Sequence, residues 1–320
     1  MTAAQAGATE KVPRHVAVVF VHGILANNDG FAEPMEKRLS KRLPKELKPY
    51  VHFRSIYWAA TVRDNQGDYQ VRMNTSGSIW HRKLRRLVIE GLGDAAAYQK
   101  TRDRDNSIYY EAQGKISDKI KQLRAQIKVD CPLIFIGHSL GCHVISSYLW
   151  DLNRLKQRTA DEIKLERDPR AQSQWEELQH ASDFCRLDTC AGIVTLGSNM
   201  PMFTFTFGPT NVFPITSSPN DSSGNKLRPA FPGAALPPAL RDKARWLNFY
   251  SGLDILGFPL KSINDEYRDA DIIRDIRVWS GAPWFIPYVW CIFAHTRYWT
   301  NRAVLSHTVD LIRDMAETPA

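Results

Sequence analysis

The sequence contains no Cys-x-x-Cys pair, no internal repeat, no apolar run long enough to span a bilayer and no apolar segment near Met1. Each absence removes a class of protein. The five cysteines, at positions 131, 142, 185, 190 and 291, lack the pairing that zinc and redox sites use, so reduced thiols are expected. The longest apolar stretch, Ala282 to Ala294, is too short for a membrane span and is broken by Pro283 and Pro287. Met1 to His15 is polar and Ala-rich, without the apolar core of a secretory signal, so a cytoplasmic protein with a loose tail over residues 1–12 is expected. The densest basic cluster, His81 to Arg86, has no interleaved aromatics of the kind that stack on single-stranded nucleic acid. It reads as a solvated helix face, and no nucleic-acid partner is expected.

What is present fits a folded globular chain of a size common among enzymes. The 320 residues are 43% hydrophobic and 24% charged, ordinary for a globular chain that buries a sizeable core. The net charge of +8 leaves anionic partners open, including peripheral contact with an anionic membrane.

Short β-branched runs alternate with helical patterns. Val16 to Val21 ends at His22-Gly23 and reads as a buried parallel strand entering a turn. An amphipathic segment from Met35 to Lys48 and a second strand, His52 to Trp58, follow. Ile116, Ile120, Leu123 and Ile127 fall at helical spacing within Lys115 to Lys128. Further strands are expected at Leu133–Ile136, Ile193–Leu196, Trp246–Tyr250 and Ile276–Trp279, and Asp168-Pro169 opens a short surface helix. The alternation predicts an α/β fold with a mostly parallel central sheet flanked by helices. Segments near 61–112, 151–185 and 201–241 read as insertions in a domain spanning 13–320, the last of them a cap or lid rich in Pro, Gly, Ser and Asn.

Gly137-His138-Ser139-Leu140-Gly141 lies between a predicted strand and a predicted helix, the setting of a G-x-S-x-G nucleophile elbow. The bare pattern arises by chance in roughly one chain of this length in ten, so its flanking elements carry the inference. A sharp strand-to-helix turn strains the serine backbone, and its glycines leave room where side chains would collide. The helix N-terminus supplies unpaired N–H groups, of which Leu140 N–H is the natural donor to an oxyanion.

A serine hydroxyl needs a histidine base, and the histidine needs a carboxylate. His143, His180, His295 and His307 follow Ser139 in sequence. His143 lies on the elbow helix and His180 precedes the later strands. His307 falls in a closing amphipathic helix, Val304 to Met315, whereas His295 falls in a loop after the last predicted strand and is preferred. For the acid, Asp254 follows the Trp246–Tyr250 strand at the carboxyl end of the sheet and is preferred over Asp265, Glu266, Asp269 and Asp271, which cluster with Arg268 and Arg274.

Four segments together resemble the serine esterases and lipases of the α/β-hydrolase superfamily, from about Val16 to about Leu311: Val18–Gly23, Gly137–Gly141, Val194–Pro201, and Asp254–Leu260 with His295–Trp299. The resemblance implies that Ile24 gives a second oxyanion N–H, and the single glycine of His22-Gly23 is the form found where longer acyl chains are hydrolysed. His22 itself reads as a buried histidine bracing that loop by hydrogen bonds. Trp284, Phe285, Tyr288, Trp290 and Phe293 are candidates for binding substrate, with core packing as the plainer alternative, and Phe203, Phe205 and Phe207 alternate as a strand would.

The expected activity is hydrolysis of a carboxylic ester with a sizeable apolar acyl or aryl group, through an acyl-enzyme on Ser139, without metal or organic cofactor. Its rivals are an acyltransferase or thioesterase on the same fold, a membrane-associated phospholipase, and a catalytically silent binding protein.

Overall fold

The computed structural model describes residues 12–23, 28–58, 98, 107–166, 168–204, 212–221, 224–280 and 294–318. Six parallel strands form one sheet in the order β2-β1-β3-β4-β5-β6, with β1 Val16–Val21, β2 Val51–Ile56, β3 Leu133–His138, β4 Cys190–Leu196, β5 Arg245–Tyr250 and β6 Ile273–Arg277. After a register shift between Leu133 and Ile134, the pairing places Val21 opposite Gly137 and Gly137 opposite Thr195, so the carboxyl ends of β1, β3 and β4 finish side by side.

The central strands read as unbroken apolar runs because both faces are covered. In β1, Ala17, Val19 and Val21 point into one core and Val16, Val18 and Phe20 into the other, as a period of two requires. Helix α1 (Glu33–Arg42) lies on the second face, with Met35 and Leu39 buried. The sequence reading carried this helix to Lys48; it stops at Leu43, whose successor Pro44 disfavours helical backbone in the residue before it.

The first face receives α2 (Ile108–Ile127) and α3 (Leu140–Lys156). Helix α2 begins at Ile108 rather than Lys115, because Tyr109, Ala112 and Gln113 extend the buried stripe of Ile116, Ile120, Leu123 and Ile127. It ends at Lys128, whose φ of 66° turns the chain while its N–H returns to Arg124 O at 2.8 Å. Helices α4 (Ala160–Glu166) and α5 (Pro169–His180) follow, and Asp168 caps α5 by accepting the Arg170 N–H at 3.1 Å. After β4 come the single turns α6 (Met200–Thr204), α7 (Pro238–Arg241) and α8 (Asp265–Arg268).

Helix α9 (Arg302–Glu317) closes the second face beside α1. Asn301 caps it by accepting from Ala303 and Val304 N–H, and Val304, Leu305, Leu311, Ile312 and Met315 are buried. His307 sits on its exposed side. No described helix is long and apolar enough to cross a membrane.

Phe203 lies in α6 and not in a strand, so the alternation read over 203–207 is corrected there; Phe205 and Phe207 are outside the described residues. Strand β6 also begins and ends earlier than Ile276–Trp279. Only Ile273 of its five residues is buried, as befits an edge strand that carries charge.

Candidate active site

Ser139 stands between the last residue of β3 and the first of α3, with φ 54° and ψ −125°, a backbone conformation that costs a residue with a side chain about 1–3 kcal/mol. Close packing holds it there. Its N–H donates to Leu196 O at 2.9 Å, across from β4, and its carbonyl accepts the Cys142 N–H at 3.0 Å. A Cβ at Gly137 would lie 2.8 Å from Ile145 Cδ1, and one at Gly141 would lie 2.4 Å from Val21 O. These two glycines let the first turn of α3 seat against the ends of β3 and β1. Leu140 is the first residue of α3, so its N–H is among those the helix cannot satisfy internally.

The His22-Gly23 turn closes over the elbow. A Cβ at Gly23 would come within 2.3 Å of His138 O and 2.5 Å of Ser139 Cβ, so only glycine fits. His22 is buried and braces this turn from below. Its Nε2 accepts the Trp58 N–H at 3.0 Å, which leaves the ring proton on Nδ1 to donate to Gly23 O in a short bond. Trp58 also donates from Nε1 to His22 O at 2.9 Å and stacks on the His22 ring, 7° from parallel. Trp58 was expected at the end of the second strand; it lies beyond β2 and serves the turn instead.

Asp254 follows β5 and is buried to 5% exposure. His295 Nδ1 lies 2.9 Å from its Oδ2 and 3.0 Å from its Oδ1. The carboxylate also accepts from Tyr298 OH at 2.8 Å and from Leu256 N–H at 3.0 Å. Burial is the largest influence on Asp254 and raises its pKa, but His295, Leu256 N–H and Tyr298 together hold it below the ordinary value. Burial first, and then the neighbouring carboxylate, push Tyr298 up, so its hydroxyl remains a donor. Because an ionised carboxylate only accepts, His295 carries its proton on Nδ1 and presents Nε2 as the basic nitrogen.

Two glycines enclose this pair. A Cβ at Gly197, where φ is 56°, would fall 2.7 Å from Asp254 Oδ2 and 3.0 Å from His295 Nδ1; one at Gly257 would fall 2.4 Å from Asp254 Oδ2. The loop bearing Asp254 is fastened at its far end by a partly buried network. Asn248 donates to Phe258 O at 3.1 Å and to Asp275 at 2.6 Å, and Asp275 accepts the N–H groups of Leu260 and Lys261.

Ser139 Oγ and His295 Nε2 are both buried and have no hydrogen-bond partner among the described residues, each other included. Buried polar atoms are nearly always paired, so two orphans on neighbouring loops mark a place built for something to bind. Bonds of this kind are often long before substrate arrives and tighten with it. Burial pushes the nearby Cys142 thiol up to about 12, which leaves it inert as a nucleophile. Cys131, Cys142, Cys185 and Cys190 are free thiols. Among the described residues no three His, Cys, Asp or Glu side chains converge as a metal site would need.

The structure thus brings Asp254 and His295 into contact and sets Ser139 and Leu140 on the adjoining turn. It places His143 on α3, stacked on Phe203 at 4.2 Å, and Asp265 and Asp269 in exposed pairs with Arg268. Ile24, Trp284, Phe285, Tyr288, Trp290 and Phe293 lie outside the described residues. Sequence reasoning missed His138, Tyr298, Gly257 and the Asn248–Asp275 network. His138 lies within Gly137–Gly141 and Tyr298 within His295–Trp299, but what they touch is fixed only by folding.

Acid should destabilise the fold. Burial, then His295, lowers His138 from 6.5 to about 3, so below pH 6.5 the unfolded chain takes up a proton that the folded chain refuses. This one group removes about 1.4 kcal/mol of stability per pH unit across that window. The depressed Asp254 adds a loss of the same sign below its ordinary 3.8. Urea midpoints measured between pH about 7 and about 4.5 should fall steadily; a flat profile would contradict a neutral buried His138.

No family model matches the sequence, and no curated protein matches it. Among solved structures the chain is similar to Est1E from Butyrivibrio proteoclasticus, with 8% identity over 93% of this chain and 89% of that one and a TM-score of 0.41. It is also similar to the ferulic acid complex of Est1E, with 11% identity over 94% and 88% and a TM-score of 0.33. A parallel sheet in the order β2-β1-β3-β4-β5-β6 between two helical layers, with Ser139 at the turn after β3, Asp254 following β5 and His295 following β6, is the α/β-hydrolase fold.

Proposed function

We propose that the protein is a serine hydrolase that cleaves carboxylic esters through an acyl-enzyme on Ser139. One observation carries this reading: His295, bound through Nδ1 to the buried Asp254, leaves a basic Nε2 unpaired while Ser139, in a strained turn, leaves its Oγ unpaired. Leaving these two buried polar atoms unpaired costs stability rather than adding to it.

In the proposed reaction His295 Nε2 takes the Ser139 proton as Oγ attacks the ester carbonyl. Asp254 stabilises the imidazolium, and the Leu140 N–H receives the developing oxyanion, with Ile24 N–H as the expected second donor. The imidazolium then protonates the leaving alkoxide. Water, deprotonated by the same nitrogen, attacks the acyl-enzyme and releases the acid. Each proton is returned, and no cofactor takes part. A sizeable apolar acyl or aryl group is the expected substrate moiety, and Phe203, stacked on His143 one turn of α3 from Ser139, supplies apolar surface on that side.

A fluorophosphonate probe should add one covalent mass to the intact protein, mapped to the peptide containing Ser139. Nitrophenyl esters of increasing acyl length should then be hydrolysed, with kcat/KM rising as the chain lengthens. A protein that neither labels nor turns over any ester in the series would overturn the assignment.

A further inference from the structure

His138, the residue between β3 and the proposed nucleophile, makes a hydrogen bond that the mechanism above does not use. Its Nε2 lies 2.6 Å from the backbone carbonyl of His295, across 157 positions of sequence, and both side chains are buried. A carbonyl only accepts, so the His138 proton sits on Nε2 and the ring is the donor. The described aromatic rings around it belong to one segment: His295 at 4.8 Å, Trp299 at 5.3 Å and Tyr298 at 6.4 Å between centroids. That segment carries the proposed base and the tyrosine that bonds Asp254. The backbone of His138 is pinned on the other side by the close approach of Gly23 to its carbonyl.

We infer that His138 is a positioning residue for His295, a clamp through which the residue preceding the nucleophile holds the backbone of the base. Without it, Ser139 and His295 are still linked through the Leu196-Gly197 tip, which contacts Ser139 N–H on one side and the His295 ring on the other. With it, one residue and one hydrogen bond join the two reacting groups. Burial and the neighbouring His295 keep the ring neutral, with its pKa lowered to about 3, so the clamp adds no positive charge beside the imidazolium that forms during the reaction. Its donor role needs no protonation change and should be constant across the working pH range.

The inference rests on the serine hydrolase reading, and the test separates the two. Wild type, Ser139→Ala, His138→Phe, His138→Leu and His138→Gln are compared in fluorophosphonate labelling rate and in kcat and KM for one nitrophenyl ester, with thermal melting to select folded variants. Glutamine can place an amide N–H near the position of Nε2; phenylalanine and leucine cannot donate. Misplacing a reacting group by about 1 Å costs about a hundredfold in rate. Loss of the clamp should therefore lower kcat and labelling rate by about ten- to a hundredfold with KM little changed, and His138→Gln should recover most of the loss. Whichever apolar variant folds decides the matter. An apolar variant within about twofold of wild type in kcat, or a glutamine variant as impaired as the apolar one, would overturn the clamp while leaving the hydrolase reading intact. If neither apolar variant folds, a glutamine variant that folds with near-wild-type kcat supports the clamp and one with the full loss overturns it. A wild type that does not label or turn over overturns both.

Discussion

Ser139→Ala should abolish ester turnover, by about a millionfold in kcat, and leave the fold as stable as it was. The two halves of this expectation come from different features of the residue. The Oγ accepts nothing and donates nothing among the described residues, so removing it strands no partner and leaves only a hydroxyl-sized gap. The backbone strain stays, because alanine at φ 54° meets the same Cβ clash as serine. Ser139→Gly should be equally inactive but more stable. Relief of strain worth about 1–3 kcal/mol exceeds the entropy cost of about 0.5–1 kcal/mol for adding a glycine, so a net gain of about 1 kcal/mol is expected. Turnover, probe labelling and thermal melting on the three proteins check both halves. Residual turnover at wild-type level in Ser139→Ala would remove Ser139 from the mechanism. A glycine variant that melts no higher than wild type would show that the turn is not strained.

The contrast between Ser139 and the rest of the site tracks what a sequence can display. Central strands β1, β3, β4 and β5 are buried on both faces, so their side chains are almost all apolar and their runs stand out. The elbow is legible because its two glycines stand at fixed spacing around the serine, Gly137 packed under Ile145 and Cys142 of the following helix and Gly141 against the end of β1. His295 and Asp254 could be chosen by chain order and by position after a strand. Edge strand β6 was placed too late because only Ile273 is buried and the register of a charged edge leaves little pattern. Phe203 looked extended because alternate aromatics mimic a strand, while Met200 and Pro201 bury the same residues as a helical turn. Tyr298, His138 and Gly257 gain their roles from contacts between segments far apart in sequence, such as Gly257 lying against Gly197. Nothing local marks Gly197 as a glycine that must be small because the distant Asp254 carboxylate rests on it.

The acid tests the reading most sharply, because its choice among several carboxylates rested on its position after a strand and on the arginines that cluster with its rivals. Asp254→Asn should lower kcat about ten-thousandfold while folding and KM change little. Oδ2 of Asp254 accepts from His295 Nδ1 and Tyr298 OH, and Oδ1 accepts from Leu256 N–H. An amide offers one oxygen and one NH2 group, so in either orientation its NH2 is turned toward a donor. If the amide nitrogen faces His295, it donates to Nδ1, moves the ring proton to Nε2 and leaves no lone pair to take the Ser139 proton. If the oxygen faces His295, the tautomer survives but the imidazolium loses its counter-charge. Gly197 and Gly257 pack too closely around the carboxylate for the side chain to swing away from both partners. The rival carboxylates are expected to behave differently under the same change: Asp265 and Asp269 have side chains 79% and 72% exposed and, among the described residues, pair with Arg268. Exposed pairs of that kind contribute about 0–1 kcal/mol to stability, so Asp265→Asn and Asp269→Asn should keep kcat within about twofold of wild type. Steady-state kinetics on the three variants separate the cases. A near-normal Asp254→Asn beside a crippled Asp265 or Asp269 variant would move the acid to the α8 segment. A normal rate in all three would mean that His295 does not depend on a carboxylate partner, and the proposed proton path would have to be redrawn around a different base.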